Sequence, residues 1–187
     1  MSVTTINFFN LMFGALFVLY ATRELDVTPG LLGVLLGAGA IGGILGAFVA
    51  PRMSRRIGVG RALVIGTVLF PLPLVLVPAA GGPRPLVLAF LFAAEFLSGF
   101  GVMVLDVNGN SLRAALTPDR IRARVLGAHR TINYGVRPIG AFLAGILAAW
   151  IGVRTTLWIS AIGASLAVLW LLPSPVPWIH DLPEQAA

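Results

Sequence analysis

The chain has 187 residues, of which 58% are hydrophobic and only 11% are charged, and its mean hydropathy is +0.95. Its 13 arginines and 7 acidic residues are too few to give a soluble domain of this size a polar surface. The arginines lie in short segments between apolar blocks, which argues against a basic nucleic-acid-binding face, and the absence of cysteine excludes disulfides and thiolate metal sites.

Six apolar segments follow one another along the chain. About 20 apolar residues cross the ~30 Å hydrocarbon core as a helix, and continuous apolar runs differ from the alternating pattern of a membrane β-barrel. Short turn sequences such as Gly82-Pro83-Arg84-Pro85 separate the segments. We therefore predict an all-α integral membrane bundle over residues 1–173 and an irregular cytoplasmic tail over 174–187. The predicted spans are residues 3–22, 30–50, 62–80, 86–108, 127–150 and 155–173.

The arginines are divided unequally between the two sides of this bundle. The side that carries both termini and the loops after the second and fourth spans has nine of them: Arg52, Arg55, Arg56, Arg61, Arg113, Arg120, Arg122, Arg124 and Arg130. The other side has Arg23, Arg84 and Arg154. Because basic residues in short loops favour the cytoplasm, we expect a multi-pass membrane protein with both termini in the cytoplasm.

The second span is rich in glycine. Three pairs are spaced four residues apart, which gives a helix small faces for close packing: Gly33 with Gly37, Gly39 with Gly43, and Gly42 with Gly46. Dense helix packing explains this pattern, and such a helix is also able to rock against its neighbour.

The chain contains an internal repeat at an offset of 94 residues. Residues 46–59 and 140–153 are identical at seven of 14 aligned positions. The offset makes the second span correspond to the fifth and the third to the sixth. Because three spans separate the copies, they run in opposite directions through the membrane, which indicates an inverted three-plus-three repeat of the kind that builds transporters.

Three ionisable side chains fall inside predicted spans, namely Glu95, Asp106 and Arg137. Each costs about 2.5–3.5 kcal/mol to insert at a helix centre and faces a bundle interior in most proteins. Glu95 and Asp106 are 11 residues apart and therefore share one face of the fourth span. We expect Glu95 to face Arg137 and Asp106 to face Arg130. Further polar residues that extend this stripe are Asn108, Asn110, His129, Asn133 and Tyr134.

Two interpretations of the stripe are open. Glu95 and Arg137 form an ion pair that fixes the fourth span against the fifth, or the stripe lines a cavity that contacts solute and exchanges protons. Asn7 and Asn10 in the first span are three residues apart on one side of the helix, where they form interhelical hydrogen bonds or contact solute. No cofactor is expected, and the isolated His129 gives no metal site.

Three segments resemble the major facilitator superfamily, in particular the C-terminal six helices of a bacterial exporter. The first carries the superfamily's short-loop pattern, with Gly46, Arg52, Arg55, Arg56, Gly58 and Arg61. The second is 117–127, and the third, 130–145, is similar to the eleventh helix of the enterobactin-exporter and macrolide-efflux branch. Pro51 stands where that loop pattern has an acidic residue, so the gating ion pair of relatives is not carried over.

The resemblance implies one half of a twelve-helix major facilitator fold in the bacterial cytoplasmic (inner) membrane, and not an enzyme. The expected function is half of a secondary active antiporter, which drives efflux of a drug-like or siderophore-like small molecule with a proton gradient. The expected partners are membrane lipid, the solute and a second six-helix half, either a missing N-terminal half or a second copy of the chain. The alternative is a truncated, non-transporting half-bundle that acts as a scaffold or partner-binding subunit.

Overall fold

The computed structural model describes residues 2–179, apart from the side chains of Asp119, Arg122 and His129. The part of the expected tail after residue 179 and the expected contribution of His129 to the polar stripe lie outside the described residues.

Residues 2–179 are almost entirely helical, and six of their segments are long and apolar enough to cross a membrane. The expected all-α membrane bundle is therefore confirmed. The first and second spans are α1 (Ser2–Arg23) and α2 (Pro29–Ile57), and the fourth and fifth are α5 (Arg84–Leu116) and α6 (Asp119–Ile151). The third span is composed of α3 (Val59–Leu69), a 3₁₀ turn (Leu72–Val75) and α4 (Leu76–Ala79). The sixth span is composed of α7 (Val153–Ser165) and a 3₁₀ turn (Leu166–Trp170).

The two long helices α5 and α6 extend beyond their predicted spans. Each has 33 residues, or about 50 Å at about 1.5 Å per residue, against a hydrocarbon core of about 30 Å. α5 continues past residue 108 to Leu116, and α6 begins at Asp119 rather than near residue 127. Hydropathy locates the buried part of a helix but not its polar continuation into water, which explains the difference.

The helices alternate between two ends of the bundle. The arginine-rich end, as we call it, contains Ser2, the α2–α3 junction at Gly58 and the α5–α6 connection after Leu116. At the opposite end, Arg84 donates to the carbonyl oxygen of Asp26 (3.5 Å), and Arg154 Nε donates to that of Pro78 (2.8 Å). The nine and three arginines separated by sequence therefore lie at different ends.

The packing pattern repeats between the first three and the last three spans. α1 packs against α6 and α7, and α5 packs in the same way against α2 and α3. The repeat relates α1 to α5, α6 to α2 and α7 to α3, so the two sets of contacts correspond to each other. α5 and α6 are consecutive but make almost no contact with each other.

The repeat is also visible in backbone geometry. Gly58 is the single residue between α2 and α3, with φ 89° and ψ 152°, and its N–H donates to the carbonyl oxygen of Ser54. Gly152, 94 residues later, separates α6 from α7 with φ 88° and ψ 156°, and its N–H donates to that of Ala148. A positive φ of this size is disfavoured for residues with a Cβ, so the same turn requires glycine in both copies.

Glycines set the closest helix approach. A Cβ at Gly42 or Gly46 of α2 would overlap the backbone of Phe96 or Phe100 in α5. A Cβ at Gly140, the repeat partner of Gly46, would overlap the backbone of Phe8 in α1 in the same manner. By contrast, a Cβ at Gly33 or Gly37 would meet no atom within 4 Å. The second half of α2 thus packs its glycines against α5, whereas the glycines in the first half of α2 form an open face.

The main apolar core lies toward the opposite end of the bundle. Its buried residues include Phe13, Phe17, Tyr20, Leu91 and Leu157. The apolar cluster at the arginine-rich end is much smaller and is built on Ile6, Leu63, Leu105 and Ala167. The interior is therefore tightly filled at one end only.

The described part of the tail folds back onto the bundle. A 3₁₀ turn, Val176–Trp178, lies against the start of α3, and the N–H of Gly60 donates to the carbonyl oxygen of Ile179 (2.9 Å). A Cβ at Gly60 would overlap the carbonyl oxygen of Val176. The tail thus covers the N-terminus of α3.

Replacing Gly42 by valine is expected to lower the free energy of unfolding by about 1–3 kcal/mol or more, because the added carbons overlap the α5 backbone. Gly37→Val on the same helix is the matched control, and we expect a change within about 0.5 kcal/mol. Thermal unfolding of the two purified variants in detergent measures the difference. Equal losses would contradict the packing described for α2.

Single cysteines at the two ends of the bundle are expected to label from opposite sides of the membrane. The native chain has no cysteine, so each introduced thiol is the only one that reacts. We expect Gly81→Cys to react with an impermeant maleimide in intact cells and Ala123→Cys to react only after the membrane is permeabilised. Both positions are exposed. The reverse labelling pattern would put the arginine-rich end outside the cell.

Candidate functional site

A polar cavity of about 370 Å³ opens between α1, α5 and α6 on the side of the arginine-rich end. We call it the arginine cavity. Its apolar walls include Ile6, Phe70 and Leu105. Its polar lining is formed by Asn7, Asn10, Asp106, Asn110, Arg113, Arg130, Asn133, Tyr134 and Arg137.

Helical periodicity brings these polar residues to the cavity. On α5, Asp106 and Arg113 are seven residues apart, with Asn110 between them. On α6, Arg130 and Arg137 have the same spacing. Residues four and seven positions apart lie on one face of a helix, so each helix presents a polar stripe to the space between them.

Arg137 is held in place by two neighbours. Its Nη2 donates a hydrogen bond to Oδ1 of Asn7 (3.0 Å) across the α1–α6 contact. The guanidinium carbon also lies 4.5 Å from the ring centre of Tyr134, one turn earlier on α6, within the range of a cation–π interaction. The half-buried guanidinium therefore has a fixed orientation at the cavity wall.

Asn7 also connects Arg137 to a buried amide. Because a guanidinium only donates, Asn7 must direct its oxygen to Arg137 and its NH₂ group elsewhere. That group donates to Oδ1 of Asn133 (3.3 Å), which also accepts from the hydroxyl of Thr4 (3.3 Å). Asn133 is only 6% exposed, so these bonds satisfy a buried polar group and join α1 to α6.

A second cavity, of about 390 Å³, continues from the first toward the membrane interior. The two share Asn10, Phe70 and Val102 in their linings, and together we call them the polar groove. The inner cavity contains the half-buried Glu95, whose Oε2 would lie 3.3 Å from a Cβ placed at Gly39. Within residues 2–179, the Glu95 carboxylate makes no hydrogen bond or ion pair.

The expected ion pair between Glu95 and Arg137 is not formed in the described part of the chain. Arg137 lies in the arginine cavity and bonds to Asn7, whereas Glu95 lies in the inner cavity next to Gly39. The reason is topological: α5 is packed against α2 and α3, and α6 against α1 and α7. The shared face of Glu95 and Asp106 is found, since both side chains line the polar groove.

Asp106 and Arg130 line the same cavity, and Arg113 and Arg137 also act electrostatically on Asp106. A direct contact between Asp106 and Arg130 stays a prediction. Asn108 does not extend the stripe. It is buried between α2 and α5, where it accepts from the hydroxyl of Ser54 and donates to the carbonyl oxygen of Val104 (2.8 Å).

The loop-pattern residues lie outside both cavities. Gly46 packs against α5 and Gly58 forms the turn. The arginines of the pattern are exposed at the arginine-rich end: Arg52, Arg55, Arg56 and Arg61. Arg52 donates to the carbonyl oxygen of Phe48 (2.8 Å) one turn earlier.

Two contributors to the site were missed by sequence reasoning. The position of Arg113 after the fourth span indicates topology, but its spacing of seven from Asp106 also places it on the same helical face. Thr4 had no distinguishing signal, because its role depends on the packing of α1 against α6.

Known proteins with a similar sequence include two transporters. The Major Facilitator Superfamily matches residues 1–187. The multidrug efflux pump Tap of Mycolicibacterium fortuitum is 31% identical over 156 residues, which are 78% of this chain and 34% of that protein. The gentisate transporter of Corynebacterium glutamicum is 32% identical over 127 residues, which are 67% of this chain and 26% of that protein. The aligned part of this chain thus spans about a third or less of each relative.

Asn7 and Asn133 are expected to be energetically coupled. Interhelical hydrogen bonds in membranes contribute about 0.6 kcal/mol on average, so a double-mutant cycle of Asn7→Ala and Asn133→Ala should give a coupling energy near that value. Reversible unfolding in mixed micelles measures it. The matched cycle of Asn7→Ala with Asn110→Ala should give none, since no bond joins that pair. Equal coupling in the two cycles would contradict the observed network.

Proposed function

The chain belongs to the major facilitator superfamily, and we propose that it forms one six-helix half of a secondary active transporter. In this proposal the polar groove faces a second six-helix bundle, and a small organic solute crosses between them by alternating access. The single observation that carries the proposal is the continuous polar groove on one side of an otherwise apolar bundle.

The depth of the charged groups supports a second bundle. At about 1.5 Å per residue, Glu95 lies about 16 Å along α5 from Arg84, and Arg137 lies about 21 Å along α6 from Ile151. Both therefore fall within the ~30 Å hydrocarbon core. Charges at such depths face protein or a water-filled cavity rather than lipid, so we expect another bundle to cover the groove.

Open small-residue faces are suited to such a partner. A Cβ at Gly33 or Gly37 of α2, or at Gly135 or Gly145 of α6, would meet no atom within 4 Å. Glycine faces allow the backbone of another helix to approach closely. The partner is an N-terminal half of the same transporter or a second copy of this chain.

Glu95 is the proposed proton-exchange group. It is the carboxylate nearest the middle of the membrane, and no cation neutralises it within residues 2–179. A carboxylate in this position is able to bind and release a proton as its surroundings alternate between two aqueous sides. We propose a proton-driven antiporter of the inner membrane, with the arginine-rich end in the cytoplasm.

The names of both relatives support transport of a small organic molecule, and the name of one supports export. One is a multidrug efflux pump and the other a gentisate transporter. The proposed solute for this chain is accordingly a drug-like or siderophore-like compound that enters the groove from the arginine-rich end.

Glu95→Gln is expected to abolish solute movement driven by an imposed pH gradient while leaving membrane abundance unchanged, because a glutamine side chain cannot exchange the proton. Exposed Glu24 at the opposite end provides the matched control, and we expect Glu24→Gln to retain transport. The measurement uses proteoliposomes that contain the chain alone or with a candidate N-terminal half, with ethidium and gentisate as probes.

The outcomes of this assay separate the alternatives. Transport of either probe by the native chain, lost in Glu95→Gln, supports the proposal. Activity of the chain alone together with a cross-linked dimer would identify a second copy as the partner. Absence of transport in every combination, with unchanged folding when Glu95 and Arg137 are replaced by apolar residues, would favour a non-transporting scaffold.

A further inference from the structure

We infer that the arginine cavity is an oxyanion-binding site, which takes a small organic acid through its carboxylate or phosphate oxygens. Arg137 is the principal ligand, and Arg130 and Arg113 attract the anion at the mouth of the cavity. The inference rests on the proposed function, because it assigns the chemical class of the transported solute.

The lining of the arginine cavity has a net positive charge. Three arginines and one aspartate line the cavity, which leaves two net positive charges. Asp106 interacts electrostatically with Arg113 and Arg137, and a single carboxylate cannot neutralise all three guanidinium groups. Such a cavity attracts an anion and repels a cationic solute, and the effect is strengthened where low-dielectric walls surround the charges.

The geometry of Arg137 favours binding of a carboxylate or phosphate. A guanidinium has five N–H donors in a planar fork that matches the oxygens of a carboxylate or phosphate. Within residues 2–179 the hydrogen bond from Arg137 goes to Asn7, so most of its donors are available to a solute. Asn7 and Tyr134 already hold the side chain, and little conformational entropy is lost when it binds.

The surroundings and the size of the cavity also support the inference. Asn10 and Asn110 add amide donors to the lining of the cavity, and the Tyr134 ring provides an aromatic surface beside Arg137. A volume of about 370 Å³ lies at the small end of the range for ligand sites. A single-ring compound with one acidic group suits these dimensions.

The test measures binding rather than transport. The full chain in lipid nanodiscs is titrated by calorimetry with four single-ring probes: benzoate, phenyl phosphate, benzyl alcohol and benzylamine. We expect binding of at least one anion, weakened by added salt because screening reduces the attraction, and no binding of benzylamine. Benzoate binding assigns a carboxylate site and phenyl phosphate binding a phosphate site.

Two variants test the role of Arg137 independently. Arg137→Gln should weaken anion binding about tenfold or more, since it removes a charge-assisted bidentate contact. Asn7→Asp should have a similar effect while Arg137 is retained, because the new carboxylate replaces an oxygen that already lies 3.0 Å from Nη2. The matched control is Arg124→Gln, which removes an exposed arginine of α6 outside the cavity and should leave binding unchanged.

Either of two results overturns the inference: no anion binds the native chain, or Arg137→Gln and Asn7→Asp both bind anions as tightly as the native chain does. If Arg137→Gln fails to fold, Asn7→Asp alone decides. Anion binding without transport in proteoliposomes would retain the inference and contradict the proposed function. Ethidium transport without anion binding would retain the proposed function and contradict the inference.

Discussion

The close backbone contact between α2 and α5, repeated between α6 and α1, is the constraint on which the rest of the structure depends. Gly42 and Gly46 let α5 approach α2 until their backbones touch, and Gly140 does the same for α6 and α1. α5 and α6 are thereby each held by another helix and kept apart from one another. The space left between them, with α1 behind it, is the arginine cavity. Small residues thus create the site without contributing to its chemistry.

Local signals in the sequence predicted most of the fold. Apolar length located the six spans, arginine position separated the two ends, and the 94-residue repeat identified corresponding segments, in which the structure has matching turns at Gly58 and Gly152. The shared face of Glu95 and Asp106 followed from helical periodicity. The expected pair of Glu95 and Arg137 is not found, because it required the consecutive fourth and fifth spans to pack together, and helix packing here is set by glycine contacts between non-consecutive spans. The network of Thr4, Asn7 and Asn133 depends on the same long-range packing.

The separation of opposite charges gives the polar groove its chemical character. An ion pair between Glu95 and Arg137 would have neutralised both groups and joined two helices. Instead, Arg137 is oriented by a neutral amide and an aromatic ring, and Glu95 lies farther along the groove beside Gly39. The Arg137 guanidinium and the Glu95 carboxylate therefore do not neutralise each other, and each is able to interact with another group. In the proposed transporter, the cation and the carboxylate serve different steps, solute recognition and proton exchange.

The polar groove and the main apolar core of the bundle adjoin each other. It begins beside the arginine-rich end and extends to the apolar core, where the rings of Phe13 and Phe17, one turn apart on α1, stack at a centroid distance of 6.0 Å and line the inner cavity. In the proposed transporter, a solute that reached Glu95 would leave on the other side only after water had reached this apolar region. Wetting of apolar surface increases heat capacity. The opening step would therefore be recognisable by its temperature dependence, as a curved rather than straight Eyring plot.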